Sequence, residues 1–107
     1  MKGLPGFRDF YPEPLPTKDS WSLDLRQYIF DTWRITAERY GFREYDGPPI
    51  EELELYTKKS GEEIVGQLYN FADKGNREVS LRPEMTPTLA RMAASHTRNY
   101  KKPIKWF

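Results

Sequence analysis

The chain has no cysteine, and that absence removes two classes of answer at once. Neither a disulfide scaffold nor a thiolate-bound zinc can be built from it. A single histidine, His96, likewise rules out a multi-histidine metal site within these residues. No apolar run approaches the length needed to cross a bilayer, and the opening MKGLPGFRDFYPEPLP lacks the apolar centre of a secretory signal. Charge of one sign is missing too. With 17 basic and 16 acidic side chains the formal charge is +1, so bulk electrostatics points to neither a nucleic acid nor a membrane. The one local excess, TRNYKKPIK, is a basic run of the kind usually found on solvated surface. A reducing, cytoplasmic setting without a membrane partner is the simplest expectation.

What the chain does have is aromatic bulk: three Trp, seven Tyr and six Phe among 107 residues, enough to bury a core despite an apolar fraction of only 37%. That length allows one modest domain or a piece of a larger one. Residues 1–16 carry Pro5, Pro12, Pro14 and Pro16, which predicts an extended, turn-rich start with at most a short edge strand. Its GFRDF centre mixes aromatics with an Arg-Asp pair and is expected to pack on the rest of the chain.

From Ser20 to about Tyr40 the spacing is helical. Trp21, Leu25, Tyr28, Ile29, Thr32, Trp33, Thr36, Ala37 and Tyr40 share one broad face, and Gly41 supplies the stop. Leu23 and Phe30 form a second, smaller stripe, so the helix is expected to be covered on more than one side, by sheet or by another subunit. FREY (42–45) alternates like a strand, DGPPI breaks it, and 50–56 reads as a short strand or a helical turn. Ser60 offers an N-cap for a short helix beginning with Glu62 and Glu63. LYNFAD and REVSL around KGN predict a hairpin. KPIKWF alternates again and stops in mid-pattern, which suggests a truncated chain. These elements add up to an α+β arrangement with antiparallel strands.

The chemistry concentrates in EVSLRPEMTPTLARM, where a strand passes almost at once into a helix. Thr86 can cap that helix and Pro87 suits its first turn, with Leu89, Met92, Ala93 and His96 on an apolar-leaning face. Pro83 biases Arg82 toward an extended conformation, so Arg82 and Glu84 are held with little freedom. Glu84 can satisfy helix amides or point outward to meet an ammonium, and with the Thr86 hydroxyl beside it the pair is a reasonable receptor for a primary amine. Equally, Arg82 and Glu84 can be structural hydrogen-bonding groups at a turn. Local chemistry leaves both readings open.

Here the residues resemble a known family. LRPEMTPTLAR is similar to the segment of histidyl-tRNA synthetases in which Arg-Pro-Glu-x-Thr precedes a helix. KGLPGFRDFYP resembles the start of those proteins, and the long helix with YGFREYDGPPIEELELY resembles motif 1 of class II aminoacyl-tRNA synthetases, Pro49 matching the motif's proline. GEEIVGQLYNFADKGNREVSL is similar to the family's Glu-rich helix and hairpin, so the resemblance runs in order across residues 1–107.

The resemblance implies part of the class II antiparallel sheet with flanking helices, in a homodimer that activates L-histidine with ATP and Mg2+ and transfers it to tRNA-His. It implies that Glu84 holds the α-amino group, Thr86 assists, and Met85 lines the site through its backbone. Trp33, Tyr40 and Pro49 are then expected at the motif 1 dimer interface. Residues 1–107 would be the N-terminal part of the catalytic domain, from motif 1 to the first strand of motif 2, without the rest of the domain or the anticodon-binding domain.

Two departures stand out. Met85 replaces the glycine of many bacterial members, and the arginine that grips the ATP α-phosphate is not identifiable in these residues. No catalytic residue can therefore be named, and the 107 residues alone are not expected to aminoacylate. A histidine-sensing regulatory subunit of ATP phosphoribosyltransferase shares the fold, although its segment often carries aspartate where this chain has Glu84. A fragment whose only activity is dimerisation is the third reading.

Overall fold

The computed structural model describes all 107 residues, which divide into two compact units: Met1–Glu44 with Lys105–Phe107, and Tyr45–Ile104.

In the first unit the proline-rich start contributes only a two-residue strand, β1 (Phe10–Tyr11), paired in parallel with β2 (Trp21–Ser22). The GFRDF segment is packed as its composition suggests. The Arg8 guanidinium lies 4.1 Å over the Trp21 ring, and Arg26 lies 4.3 Å over Phe10. Helix α1 runs Leu23–Arg39, starting later than the periodicity alone suggests because Trp21 and Ser22 are held in the ladder with β1. Ser22 then caps the helix, its Oγ accepting from the Leu25 N–H at 3.1 Å.

The stop at Gly41 is a Schellman turn. Gly41 adopts φ +78°, its N–H bonds the Glu38 carbonyl at 3.0 Å, and the Phe42 N–H reaches Ala37 at 3.0 Å. FREY and KPIKWF do not become full strands. They meet in one parallel bridge, Arg43 with Trp106, made by Arg43 N–H to Lys105 carbonyl and Phe107 N–H to Arg43 carbonyl. Pro48 and Pro49 soon after, with no N–H to donate, prevent the first segment from continuing as a strand.

Within this single chain the α1 faces stay largely open. None of its residues is buried, and the broad face carries Trp33 at 63% and Tyr40 at 72% exposure. The partly covered positions are Leu23 of the minor stripe, Ala37 at the edge of the broad face, Arg26 and Arg34, while Phe30 is exposed.

The second unit is built on a three-stranded antiparallel sheet in the order β3 (Ile50–Glu52), β5 (Glu78–Leu81), β4 (Asn70–Ala72). Register pairs Glu51 with Ser80 and Ser80 with Asn70, so these three point to one face. The hairpin β4–β5 is present as the turn chemistry predicts. Asp73 Oδ1 accepts from the Gly75 and Arg77 N–H groups at 2.8 and 3.0 Å, and Asn76 takes a positive φ of 58°.

Residues 50–60 turn out to be strand and helix in succession, β3 leading through buried Leu53 into α2 (Glu54–Ser60). Ser60 is therefore no cap. It ends α2, and Gly61, at φ +78°, occupies the cap position of the following 3-10 helix Glu62–Gln67. Helix α3 spans Thr86–His96, and here too the expected cap is displaced by one residue. Met85 already has right-handed helical dihedrals, so Thr86 is the first helical residue and its hydroxyl does not cap. The core is Leu53, Tyr56 and Val79, with Glu51, Ser80 and Thr88 buried among them. No helix is long and apolar enough to cross a membrane.

Candidate functional site

The turn between β5 and α3 is held from both sides. The Arg82 N–H extends the β5 ladder onto the Pro49 carbonyl at 2.9 Å. Its guanidinium Nη1 donates to the Gly47 carbonyl at 2.8 Å, with Pro48 O at 3.4 Å and Asp46 Oδ1 at 3.5 Å. Arg82 is thus a structural staple on the 46–49 loop. That loop can lie close to α3 only because position 47 is glycine. A Cβ there would stand 2.4 Å from Thr88 Cγ2 and 3.4 Å from Met92 Sδ.

Beneath the turn, Arg91 binds the Glu51 carboxylate through Nη2 at 2.8 Å and Nε at 3.1–3.2 Å, tying α3 to the central sheet. Tyr56 and Thr88 fill the space close by. Both hydroxyls are fully buried, and neither makes a well-formed hydrogen bond to a protein atom. Burial first, and then the negative charge of Glu51, push the Tyr56 hydroxyl above its ordinary pKa, while the adjoining Thr88 hydroxyl and Arg82 act in the opposite direction.

Glu84 emerges from this rigid base half exposed. Its Oε1 accepts from the Lys59 ammonium at 3.0 Å. That hydrogen bond, then one from the Thr86 side chain, then the Lys59 charge, hold the Glu84 carboxyl below the usual glutamate range. Of the two roles the sequence left open for Glu84, meeting an ammonium is the one the structure displays, although the ammonium comes from the chain itself. Met85 is half-buried, and its backbone begins the helix.

Arg82 and Glu84, two residues apart, thus take different partners: Arg82 the loop carbonyls and Glu84 the Lys59 ammonium. An open cleft of about 470 Å3 beside Glu51, Lys58 and Arg91 includes none of Glu84, Met85 and Thr86. A carboxylate-bearing turn, and not a cavity, marks the candidate site.

Glu84, Met85 and Thr86 lie together, and Pro49 reaches the same turn through Arg82. Trp33 and Tyr40 belong to the first unit, exposed on α1. Lys59 and Arg91 had escaped the sequence reading. Lys59 is 25 residues upstream of Glu84, and only the Lys58-Lys59 pair at the end of a short helix hints at a cation there.

The histidyl-tRNA synthetase family model matches residues 20–107. The chain belongs to the histidyl-tRNA synthetase family. Over its whole length it is 54% identical to the histidine–tRNA ligase of Opitutus terrae, and it spans 23% of that protein. The crystal structure of apo S. aureus histidyl-tRNA synthetase superimposes with a TM-score of 0.75 at 27% identity, over 99% of this chain and 24% of that one. An ATP phosphoribosyltransferase regulatory subunit/histidyl-tRNA synthetase from Bacillus halodurans C shares the fold, with a TM-score of 0.69 at 23% identity, over 98% of this chain and 27% of that one. The α+β class and its antiparallel sheet are those of histidyl-tRNA synthetases. The chain spans less than a quarter of the length of the Opitutus terrae relative.

Proposed function

We propose that residues 1–107 are the N-terminal part of the catalytic domain of an ATP-dependent histidine–tRNA ligase, running from motif 1 to the first strand of motif 2. The whole protein would activate L-histidine and transfer it to tRNA-His in the cytoplasm as a homodimer. In this reading Glu84 receives the α-ammonium of histidine, Thr86 assists through its hydroxyl, and Met85 lines the site with backbone. The observation that carries it is the Glu84 carboxylate, paired with an ammonium at 3.0 Å on a turn stapled by Arg82. The 54% identity to a histidine–tRNA ligase supports the ligase over the regulatory subunit.

These residues do not fit an ATP–Mg2+ site on their own. No group of three or more carboxylates or histidines is close enough to hold a metal, Arg82 is spent on loop carbonyls, and Arg91 on Glu51. No chemical step through ATP is therefore assigned to them. What they supply is binding and orientation of the amino acid. The exposed α1 face with Trp33 and Tyr40 supports the motif 1 dimer interface, to which the family resemblance also assigns Pro49.

Histidine-dependent ATP–pyrophosphate exchange by the full-length protein tests the proposal. Glu84→Gln is expected to raise the KM for histidine by more than tenfold, since it removes a charge-assisted bond to the substrate amine. Absence of exchange in the parent protein, with histidine binding retained, would instead favour the regulatory subunit.

A further inference from the structure

Lys59 reaches Glu84 from the last turn of α2, across 25 residues of sequence, and its Nζ stands 3.0 Å from Glu84 Oε1. Its neighbour Lys58 is occupied differently, pairing with Glu54 at 2.9 Å along the helix. Of the two adjacent lysines, only Lys59 is directed to the carboxylate of the candidate amine receptor. An amino acid presents the same functional group, a primary ammonium, to the same acceptor. A carboxylate already bonded to one ammonium binds a second less well, because the two cations repel at contact distance and the resident bond must be loosened.

We propose that Lys59 is a resident counter-ion of Glu84 which an incoming amino-acid ammonium must displace, so that Lys59 sets the affinity of the site for the amine. The inference rests on the reading of Glu84 as the α-ammonium receptor. Lys59 is a positioning residue, not a catalytic one. In the unliganded protein it occupies Glu84 Oε1, at the expense of amine affinity. Both side chains are about half exposed, 56% for Lys59 and 49% for Glu84, so the exchange occurs in a partly hydrated site and its effect is modest.

The test uses the full-length protein, with Lys59→Met, Lys59→Arg and Glu84→Gln compared in histidine-dependent pyrophosphate exchange. Two competitive probes are added: histidinol, which keeps the ammonium, and imidazolepropionate, which lacks it. Lys59→Met is expected to lower the histidine KM and the histidinol Ki by about two- to five-fold, the range an exposed ion pair of this kind supports. The imidazolepropionate Ki should not fall with them. Lys59→Arg, which retains the cation, should stay closer to the parent than Lys59→Met does.

In Lys59→Met/Glu84→Gln the tightening should vanish, because no carboxylate remains to be freed. An unchanged or raised KM in Lys59→Met overturns the inference while leaving the role of Glu84 standing. So does equal tightening of both probes, which a general rearrangement of the turn would produce. If Glu84→Gln leaves the histidine KM and histidinol Ki at parental values, the reading of Glu84 itself falls, and this inference with it.

Discussion

Arg91 grips the carboxylate of Glu51 with two nitrogens of its fork, 2.8 Å from Nη2 and 3.1–3.2 Å from Nε, and the Glu51 side chain is only 7% exposed. The two ends of the pair are not equivalent. Arg91 is 41% exposed and can be rehydrated if its partner is lost, whereas Glu51 sits in the central sheet opposite fully buried Ser80. Removing the arginine strands a buried charge, the costly way to break such a pair. Arg91→Met is expected to destabilise by about 2–3 kcal/mol and Glu51→Gln by less. Urea denaturation of both variants checks the order. Equal losses would mean that the carboxylate is better hydrated than its burial implies.

The Gly47–Thr88 approach predicts a compensating pair. Gly47→Ala places a methyl group 2.4 Å from Thr88 Cγ2, and Thr88 is fully buried and β-branched, so it cannot swing aside. The single change should cost about 1–3 kcal/mol through overpacking. Thr88→Ser removes the clashing methyl and keeps the hydroxyl, so the double variant should recover much of the loss. A double-mutant cycle on denaturation midpoints measures that recovery, and strict additivity would contradict the contact.

The pairing of Glu84 can be followed with pH. Its carboxyl is held below the usual range by Lys59 first and by the Thr86 side chain next. A depressed folded-state pKa means a contribution to stability that is present above the unfolded glutamate value and lost as pH falls through the folded one. Carboxyl-resolved NMR titration should place the Glu84 midpoint below the ordinary glutamate value, and Lys59→Met should move it upward. A midpoint unmoved by that substitution would show that the pair does not form in solution.

Tyr56 carries the opposite signature. Its hydroxyl is buried without a well-formed protein hydrogen bond, and burial, reinforced by Glu51, raises its pKa. For a raised value, stability is intact below the unfolded tyrosine pKa and is lost as pH rises through the folded one, because the unfolded chain ionises first. Tyr56→Phe should therefore be neutral or stabilising within about 1 kcal/mol at neutral pH, and should weaken the alkaline loss. Denaturation at neutral and alkaline pH tests both halves. A loss well beyond that range at neutral pH would indicate that the hydroxyl is well bonded.

Much of the fold was legible in the linear pattern. The Schellman stop at Gly41, the Asp73 hairpin turn and the helix after Pro83 follow from local dihedral and hydrogen-bonding preferences, which neighbouring residues decide among themselves. The cap assignments at Ser60 and Thr86 failed for the same local reason seen more closely. Gly61 and Met85 had already taken the decisive backbone conformation one residue away. The α1 face was harder. Periodicity identifies an apolar stripe but not its cover: Trp33 and Tyr40 of the broad stripe and Phe30 of the minor one are exposed, while Leu23 and Ala37 are partly covered.

By itself the sequence determined the local elements, the exclusion of cysteine chemistry and, through its ordered resemblance, the family. It also singled out Glu84 as a carboxylate at the mouth of a rigid turn. Only the tertiary structure decided what that carboxylate and its neighbours touch. Arg82 went to the loop carbonyls, Arg91 to Glu51, and Lys59 to Glu84 across 25 residues. The physical reason is that helix and turn preferences act over a few residues along the chain. An ion pair depends instead on distance in space, and that distance exists only once β3, α2, β5 and α3 have packed.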